Sequence, residues 1–407
     1  LTEIFLLYFL KTREKEKDMK SLKIAFGVIT KNVKVDYPYL NFLKNAQEFD
    51  HSITSIIFGY RDSIAPKILK TLAEYCNVMP LHLSEKQILA EQLSKFSLSE
   101  NDIEALIGTP YLQSHNMIAY GTARNYVLLK AILSGVDILL FFDTDVYPQI
   151  LFDEGNSQFH YEDIDFVGEH VKALNNKPKV VATTSDYTGF YIIPHLHFPH
   201  VNDLLFGLQK EDSFTFISQE NHLVLKQSHR QNFHPTQKVL GGNLAIDLRK
   251  IQYLSPFFSE TLILQDECFL GRGEDTTFGP LINLYGGQCM DIDLPIFHNC
   301  FGDFPNLPDI NQKQNLERFF YACMGWIIRN PFYNWLHSEY IHDFPPIDEE
   351  KRFESLKIGS KSAAEYFQDS RFLLLPEAFK KAYEQLPKTK EKFENLQSAW
   401  NKLKEKI

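Results

Sequence analysis

The sequence is short of cysteine, of positive charge, of long apolar runs and of repeats, and each shortage removes a class of protein. Its five cysteines, Cys76, Cys268, Cys289, Cys300 and Cys323, are scattered, odd in number and form no CxxC pair. Neither a disulfide framework nor a zinc knuckle is expected, and a reducing, cytoplasmic setting fits best. The formal net charge of -10 supplies no excess of Lys and Arg to neutralise phosphates, so nucleic acid is excluded as a partner. The apolar run LTEIFLLYFL is too short to span a bilayer and contains Glu3. Its positive charges follow the apolar stretch, whereas a secretory signal carries them in front. Because SLKIAFGVIT opens a good strand directly after Met19, residues 1–18 are read as an upstream extension.

What is present is a globular, unusually aromatic chain of 407 residues, with Phe 34 and Tyr 19, long enough for one large domain with an addition, or for two domains. Residues 22–142 alternate strand-like and helix-like runs: strands at 22–30, 51–60 and 77–83, with helices at about 37–49 and after Pro66. This βαβ rhythm predicts a parallel sheet with helices on its faces. Residues 84–115 are polar and helix-prone and read as an insertion. Met117, Tyr120, Val127, Leu128, Ala131 and Ile132 then recur at helical spacing up to Gly135, a C-terminal cap. That helix runs straight into ILLFFDTDVYPQ (138–149), an apolar run that ends in Asp143 and Asp145.

A run apolar on both faces predicts a central parallel strand covered on both sides, and ligands of open α/β sheets bind beyond the carboxyl ends of such strands. If the strand stays extended through Thr144, both aspartates face one ligand. Two neighbouring carboxylates repel, and a divalent cation keeps both ionised. Their hard oxygens suit Mg2+ or Mn2+, which leave positions open for phosphate oxygens. Two solvated aspartates at a strand end are the plain alternative. Further on, 179–194 predicts two short strands, 238–251 a glycine turn, strand and helix start, and 273–287 a helix ending in glycines. From about 304 the pattern is helical and aromatic.

The FDTDV stretch with the ARN helix before it resembles the DxD signature of GT-A-type, nucleotide-sugar-dependent glycosyltransferases. LGGNLAI (240–246), GRGEDTTFG (271–279) and IFHNC (296–300) resemble that family's glycine-pair, "ED" and histidine segments, in matching order over about 20–303. The resemblance implies a GT-A fold, Rossmann-like, with a mostly parallel central sheet and flanking helices over 19–303, followed by a helical C-terminal region over 304–407. It implies a sugar donor linked to UDP or GDP, an Mn2+ or Mg2+ cofactor, and a hydroxyl acceptor that is a carbohydrate, lipid-linked or a protein.

The resemblance also implies roles. Asp145 coordinates the metal, Asp143 contacts the metal or the donor ribose, and His298 is a third ligand through neutral imidazole. Arg124 and Asn125 reach the nucleotide or diphosphate, against a surface salt bridge as the plain reading of Arg124. Gly241 and Gly242 admit the sugar to the backbone, although a hairpin turn accounts for two glycines equally well. Glu274 and Asp275 form the catalytic acidic pair, Asp275 being the base of an inverting displacement; helix capping is their alternative role.

Two stretches carry weaker signals. His195, His197 and His200 lie in a proline-flanked run without neighbouring Cys or carboxylate, and read as acceptor-site or structural residues. Phe393, Leu396, Trp400, Leu403 and Ile407 form an apolar helical stripe flanked by lysines, suited to peripheral membrane contact or, more plainly, to docking on its own domain.

Three rival readings remain. A haloacid-dehalogenase-like phosphatase also ends a strand with Asp-x-Asp, but there the strand normally opens the fold. A sugar nucleotidyltransferase lacks support because AFGVITKN has one glycine where a phosphate loop is expected. A catalytically inactive GT-A scaffold is the non-enzymatic alternative.

Overall fold

The computed structural model describes residues 22–407 apart from 109–116, 156–157, 215–216, 218–221, 227–228, 303 and 342–346. The extension expected at 1–18 lies outside the described residues. At the centre is an eight-stranded sheet. From one edge its strands are His234–Thr236, Gln288–Asp291, Val180–Thr184, Asn243–Asp247, Ile138–Phe142, Ile24–Val33, Ile53–Ile64 and Asn77–His82. The pairings among the last four are all parallel, and Gln288–Asp291 also runs parallel to Val180–Thr184. Helices cover both faces and three long ones follow, so the mostly parallel sheet with flanking helices and a helical C-terminal region is what the chain forms.

The strand Ile138–Phe142 is central, but parallel on one side only. It pairs parallel with Ile24–Val33 and antiparallel with Asn243–Asp247, Phe142 facing Asn243. Its unbroken apolar run therefore reports burial on two faces and not the direction of its neighbours. Leu139 and Phe141 enter the core under the helix Tyr120–Leu133, with Val127 and Leu128, whereas Ile138, Leu140 and Phe142 enter the opposite core with Phe42 and Phe166. Phe42 stacks on Phe142 with ring centroids 3.9 Å apart. The helix fits tightly against the sheet because Gly27 has no side chain: a Cβ there would lie 2.8 Å from Val127 Cγ1. As expected, Gly135 follows its end with φ +66°, and the amides of Gly135 and Val136 close on the carbonyls of Ile132 and Ala131.

Residues 84–115 supply the helices Lys86–Ser94 and Glu100–Ile107, the second opened by a Ser99/Asp102 capping box. Two hairpins were not legible in the sequence: Gln149–Gly155 with Gln158–Asp163, and Thr261–Leu264 with Glu267–Leu270. The second turns through Gln265 and Asp266, both at positive φ, without the glycine that usually marks such a turn.

The C-terminal helices Lys313–Leu336, Glu349–Phe367 and Leu375–Lys404 pack onto the sheet domain. Phe393, Leu396, Trp400 and Leu403 join the core that holds Val127 and Phe257, and Trp400 Nε1 donates to the Leu254 carbonyl at 2.7 Å. This corrects the membrane reading of the stripe: its apolar side is already spent on the chain's own core, leaving Ile407 exposed. Among the described residues no helix is long and apolar enough to cross a membrane.

His170, on the helix Phe166–Leu174, ties the sheet to the glycine-pair segment. Its ring contacts Thr183 Oγ1 at 2.7 Å and Asn243 Oδ1 at 3.0 Å. Burial lowers its pKa to about 4, with the Asn243 contact opposing, so the ring is held neutral. A depressed folded-state pKa means stability present above the unfolded value near 6.5 and lost as pH falls towards 4. Over that window the wild type should lose up to ~3 kcal/mol relative to His170→Gln in urea melts; parallel pH profiles for the two proteins would contradict the assignment.

Candidate functional site

The site forms where the central strand ends. The chain does not stay extended through Thr144; it turns at Thr144 and Asp145, and the Val146 amide closes on the Asp143 carbonyl at 3.4 Å. The two carboxylates therefore diverge. Val146–Tyr147 then joins a second sheet, antiparallel to Ile296–His298, with His298 opposite Val146. On its other side His298 is paired with Gly189 of Tyr187–Phe190. This register brings the distant imidazole beside the turn: His298 Nε2 lies 3.3 Å from Asp145 Oδ2, and the Asn299 amide donates to the Asp145 carbonyl at 2.8 Å. A part-exposed cation, Arg318, reaches within 3.9 Å of the same carboxylate from the first turns of Lys313–Leu336.

Asp143 faces a different set of groups. Arg124 Nη2 is 3.5 Å away, and a Cβ at Gly242 would lie 2.6 Å from both Asp143 Oδ2 and the Tyr187 hydroxyl. The Gly242 amide donates to that hydroxyl at 3.0 Å. Burial raises the pKa of Asp143 against the pull of Arg124, with the nearby Asp145 charge adding to the rise. At Asp145 burial acts in the same direction, but His298 and then Arg318 outweigh it and hold the carboxyl below its ordinary value. One strand end thus carries two carboxylates with opposite shifts.

Among the described residues, no three His, Cys, Asp or Glu side chains are gathered as a metal-holding set. The expected trio of Asp143, Asp145 and His298 is therefore not preassembled: Asp145 and His298 converge, while Asp143 is engaged by Arg124. The pair nonetheless fits a hard divalent cation. A carboxylate oxygen and an imidazole nitrogen already point at one place, and such ions ordinarily complete their shell with water and phosphate oxygens.

Arg124 is neither at the surface nor free to reach a nucleotide. It is 3% exposed, donates from Nε to Glu274 Oε1 at 2.8 Å and from Nη1 to the Gly241 carbonyl at 3.1 Å, and lies over the rings of Phe141 and Phe257. Burial opposes its charge, but Glu274, Asp143 and Asp275 together overcome that and raise its pKa, so it remains a cation. Glu274, expected in the catalytic acidic pair, is 6% exposed and its carboxylate is taken by Arg124 at 2.8 Å. Asn125 is also withdrawn from ligand binding: its amide exchanges hydrogen bonds of 2.9 and 2.8 Å with the backbone of Phe257.

Asp275 is placed differently. Gly273, at φ +90°, starts the helix Glu274–Leu284 and lets consecutive side chains diverge, Glu274 inward and Asp275 towards the glycine pair. The Gly241 amide donates to Asp275 Oδ2 at 2.9 Å and the Thr276 amide to Oδ1 at 2.7 Å. The half-buried carboxylate keeps further lone pairs for a ligand. Gly241 and Gly242 are required sterically: a side chain on Gly241 would run into the Arg124 guanidinium, and one on Gly242 into Asp143. His195, His197 and His200 are exposed on a loop, where His200 pairs with Asp203 at 2.9 Å.

Tyr187 and Arg318 were not singled out in the sequence. Neither lies in a motif, and only the second sheet and the first C-terminal helix bring them to the aspartates.

Removing the partner of a buried charge is costly. Glu274→Ala should destabilise the protein by about 3 kcal/mol in urea unfolding. A loss below ~1 kcal/mol, the range of exposed pairs, would contradict the buried role of this ion pair.

Comparison of the sequence with protein-family profiles and with curated proteins finds no match. Among solved structures, the chain is similar to glucosyl-3-phosphoglycerate synthase from Mycobacterium tuberculosis in complex with Mn2+, UDP and phosphoglyceric acid. That alignment has a TM-score of 0.34 and 12% identity over 75% of this chain and 79% of that one. It is also similar to mannosyl-3-phosphoglycerate synthase from Rubrobacter xylanophilus, with a TM-score of 0.36 and 11% identity over 83% and 79% of the two chains. For S. aureus TarS the TM-score is 0.33, with 11% identity over 89% of this chain and 55% of that one.

Proposed function

We propose that the chain is a metal-dependent glycosyltransferase that moves a sugar from a UDP- or GDP-linked donor to a hydroxyl acceptor, with 19–303 as the transferase part and 304–407 completing it. The observation that carries this reading is the convergence of Asp145 and His298 at 3.3 Å, at the carboxyl end of the central strand whose Asp143 lies against Gly242. Asp145 and His298 would hold Mn2+ or Mg2+, which supplies positive charge for the departing diphosphate when bound. Arg318, part-exposed beside Asp145, takes the diphosphate-facing place that Arg124 cannot occupy. Asp143, directed at Gly242 and Tyr187, is the group for the donor ribose.

Asp275 is the general base. It takes the proton of the acceptor hydroxyl as the oxygen bonds to the anomeric carbon and the bond from that carbon to the diphosphate oxygen breaks, inverting the centre. Its hydrogen bonds to the Gly241 and Thr276 amides fix the carboxylate in place while lone pairs stay available. Arg124 and Glu274 act beneath the reacting groups by holding the glycine pair and the helix start together. No observation of the site favours the phosphatase reading.

Asp145→Ala should abolish both transfer and metal-assisted donor binding. Asp275→Asn should abolish transfer while donor binding in calorimetry stays within about twofold, about 0.4 kcal/mol. Retained transfer by Asp275→Asn would remove the base and make a retaining course the better description.

A further inference from the structure

Next to Asp275, three cations collect on one stretch of the helix Lys313–Leu336. The Arg272 side chain packs on Gly325, where a Cβ would lie 2.5 Å from Arg272 Cγ. The Lys210 ammonium sits 5.1 Å over the Trp326 ring, and Arg329 follows one turn later. The loop bearing Lys210 is fixed to the same helix: Asn330 Nδ2 donates to the Leu208 carbonyl at 3.0 Å, and the side-chain amides of Gln209 and Asn334 exchange hydrogen bonds of 3.0 and 3.1 Å. Arg329 in turn packs on Gly273, since a Cβ there would lie 2.5 Å from Arg329 Cδ. That glycine starts the helix carrying Asp275, so the cluster borders the proposed base.

The unusual property of this cluster is what it lacks. Among the described residues, none of Lys210, Arg272 and Arg329 forms an ion pair with a carboxylate; the hydrogen bonds of the Arg329 guanidinium go to the neutral Asn330 side chain, at 2.9 and 3.3 Å. All three are half-buried. In a chain with 52 acidic and 42 basic residues, unpaired cations do not arise from a shortage of carboxylates. Burial, with Arg329 beside it, pushes Lys210 down to about 8 against the pull of Asp212 and Asp275, and burial likewise lowers Arg329 against Tyr333 and the same two carboxylates. Asp212 and Asp275 act on Lys210 and Arg329 from beyond ion-pair contact, and half-buried charges without a contacting counterion are costly in the free protein and favourable when an anion arrives.

We propose that Lys210, Arg272 and Arg329 form an anion-binding subsite for the acceptor, which therefore carries a carboxylate or phosphate group close to the hydroxyl presented to Asp275. This rests on the transferase reading and narrows its acceptor from hydroxyl compounds in general to small anionic ones or acidic ends of larger ones. The donor diphosphate is assigned elsewhere, to Asp145, His298 and Arg318.

The test titrates inorganic phosphate, and separately acetate, into protein saturated with Mg2+ and UDP or GDP, so that the donor place is filled. Wild type should bind at least one of the two anions, and which one tells phosphate from carboxylate acceptors. Lys210→Met and Arg329→Gln should each weaken that binding about tenfold or more, the loss of a charged hydrogen bond. No anion uptake by wild type, unchanged uptake by both variants, or anion binding abolished by nucleotide would overturn the subsite; the last would give the cations to the donor. Nucleotide binding by the same preparations reports their folding and tests the transferase reading separately. Should neither nucleotide bind, that reading falls, and the phosphate titration on the free protein still decides the subsite.

Discussion

The buried guanidinium of Arg124 is the constraint on which the site depends. A charge 3% exposed between two aromatic rings has to be met by carboxylates and carbonyls at short range, and those partners come from three other parts of the chain. Glu274 belongs to a helix start, Asp143 to the central strand end, and the Gly241 carbonyl to the glycine pair. One side chain thus sets the separation between the carboxylates proposed for the donor and the one proposed as base. Because all three are held by the same guanidinium, the segments are tied together, which is the preorganisation that charge-stabilising catalysis requires.

Around this centre the charges divide by side. Asp145, His298 and Arg318 lie towards the second sheet, where the register between Val146–Tyr147 and Ile296–His298 fixes them. Lys210, Arg272 and Arg329 lie beyond Asp275, Arg329 on a C-terminal helix and the other two packed against it. The helix Lys313–Leu336 therefore contributes to both sides, Arg318 in its early turns and Arg329 farther along. The C-terminal region is accordingly part of the proposed site's construction and not an appendage to it.

Much of the scaffold was legible in the sequence, since the apolar run before Asp143 and the βαβ rhythm of residues 22–142 depend on burial and periodicity, which composition records locally. The order of the glycine-pair, acidic and histidine segments marked the stretches that meet at the strand end. What each side chain does there was less legible. Arg124 and Asn125 read as ligand-facing, but both are consumed by the core, because residue type does not reveal whether a polar group points at solvent or at a buried carbonyl. The aspartates read as a pair facing one way, yet the turn at Thr144 sends them to different partners. The final stripe was readable as amphipathic, but its partner, the core around Leu254 and Phe257, lies too far away in sequence for periodicity to name.

The proposed transfer depends on a cation shared by Asp145, His298 and a nucleoside diphosphate. Calorimetric titration of UDP and GDP into the wild-type protein, in Mn2+ and again in chelator, tests that most directly. One nucleotide should bind in Mn2+, and its binding should weaken at least about tenfold, ~1.4 kcal/mol, when the metal is removed. Equal affinity with and without the metal, or no binding of either nucleotide, would contradict the shared cation.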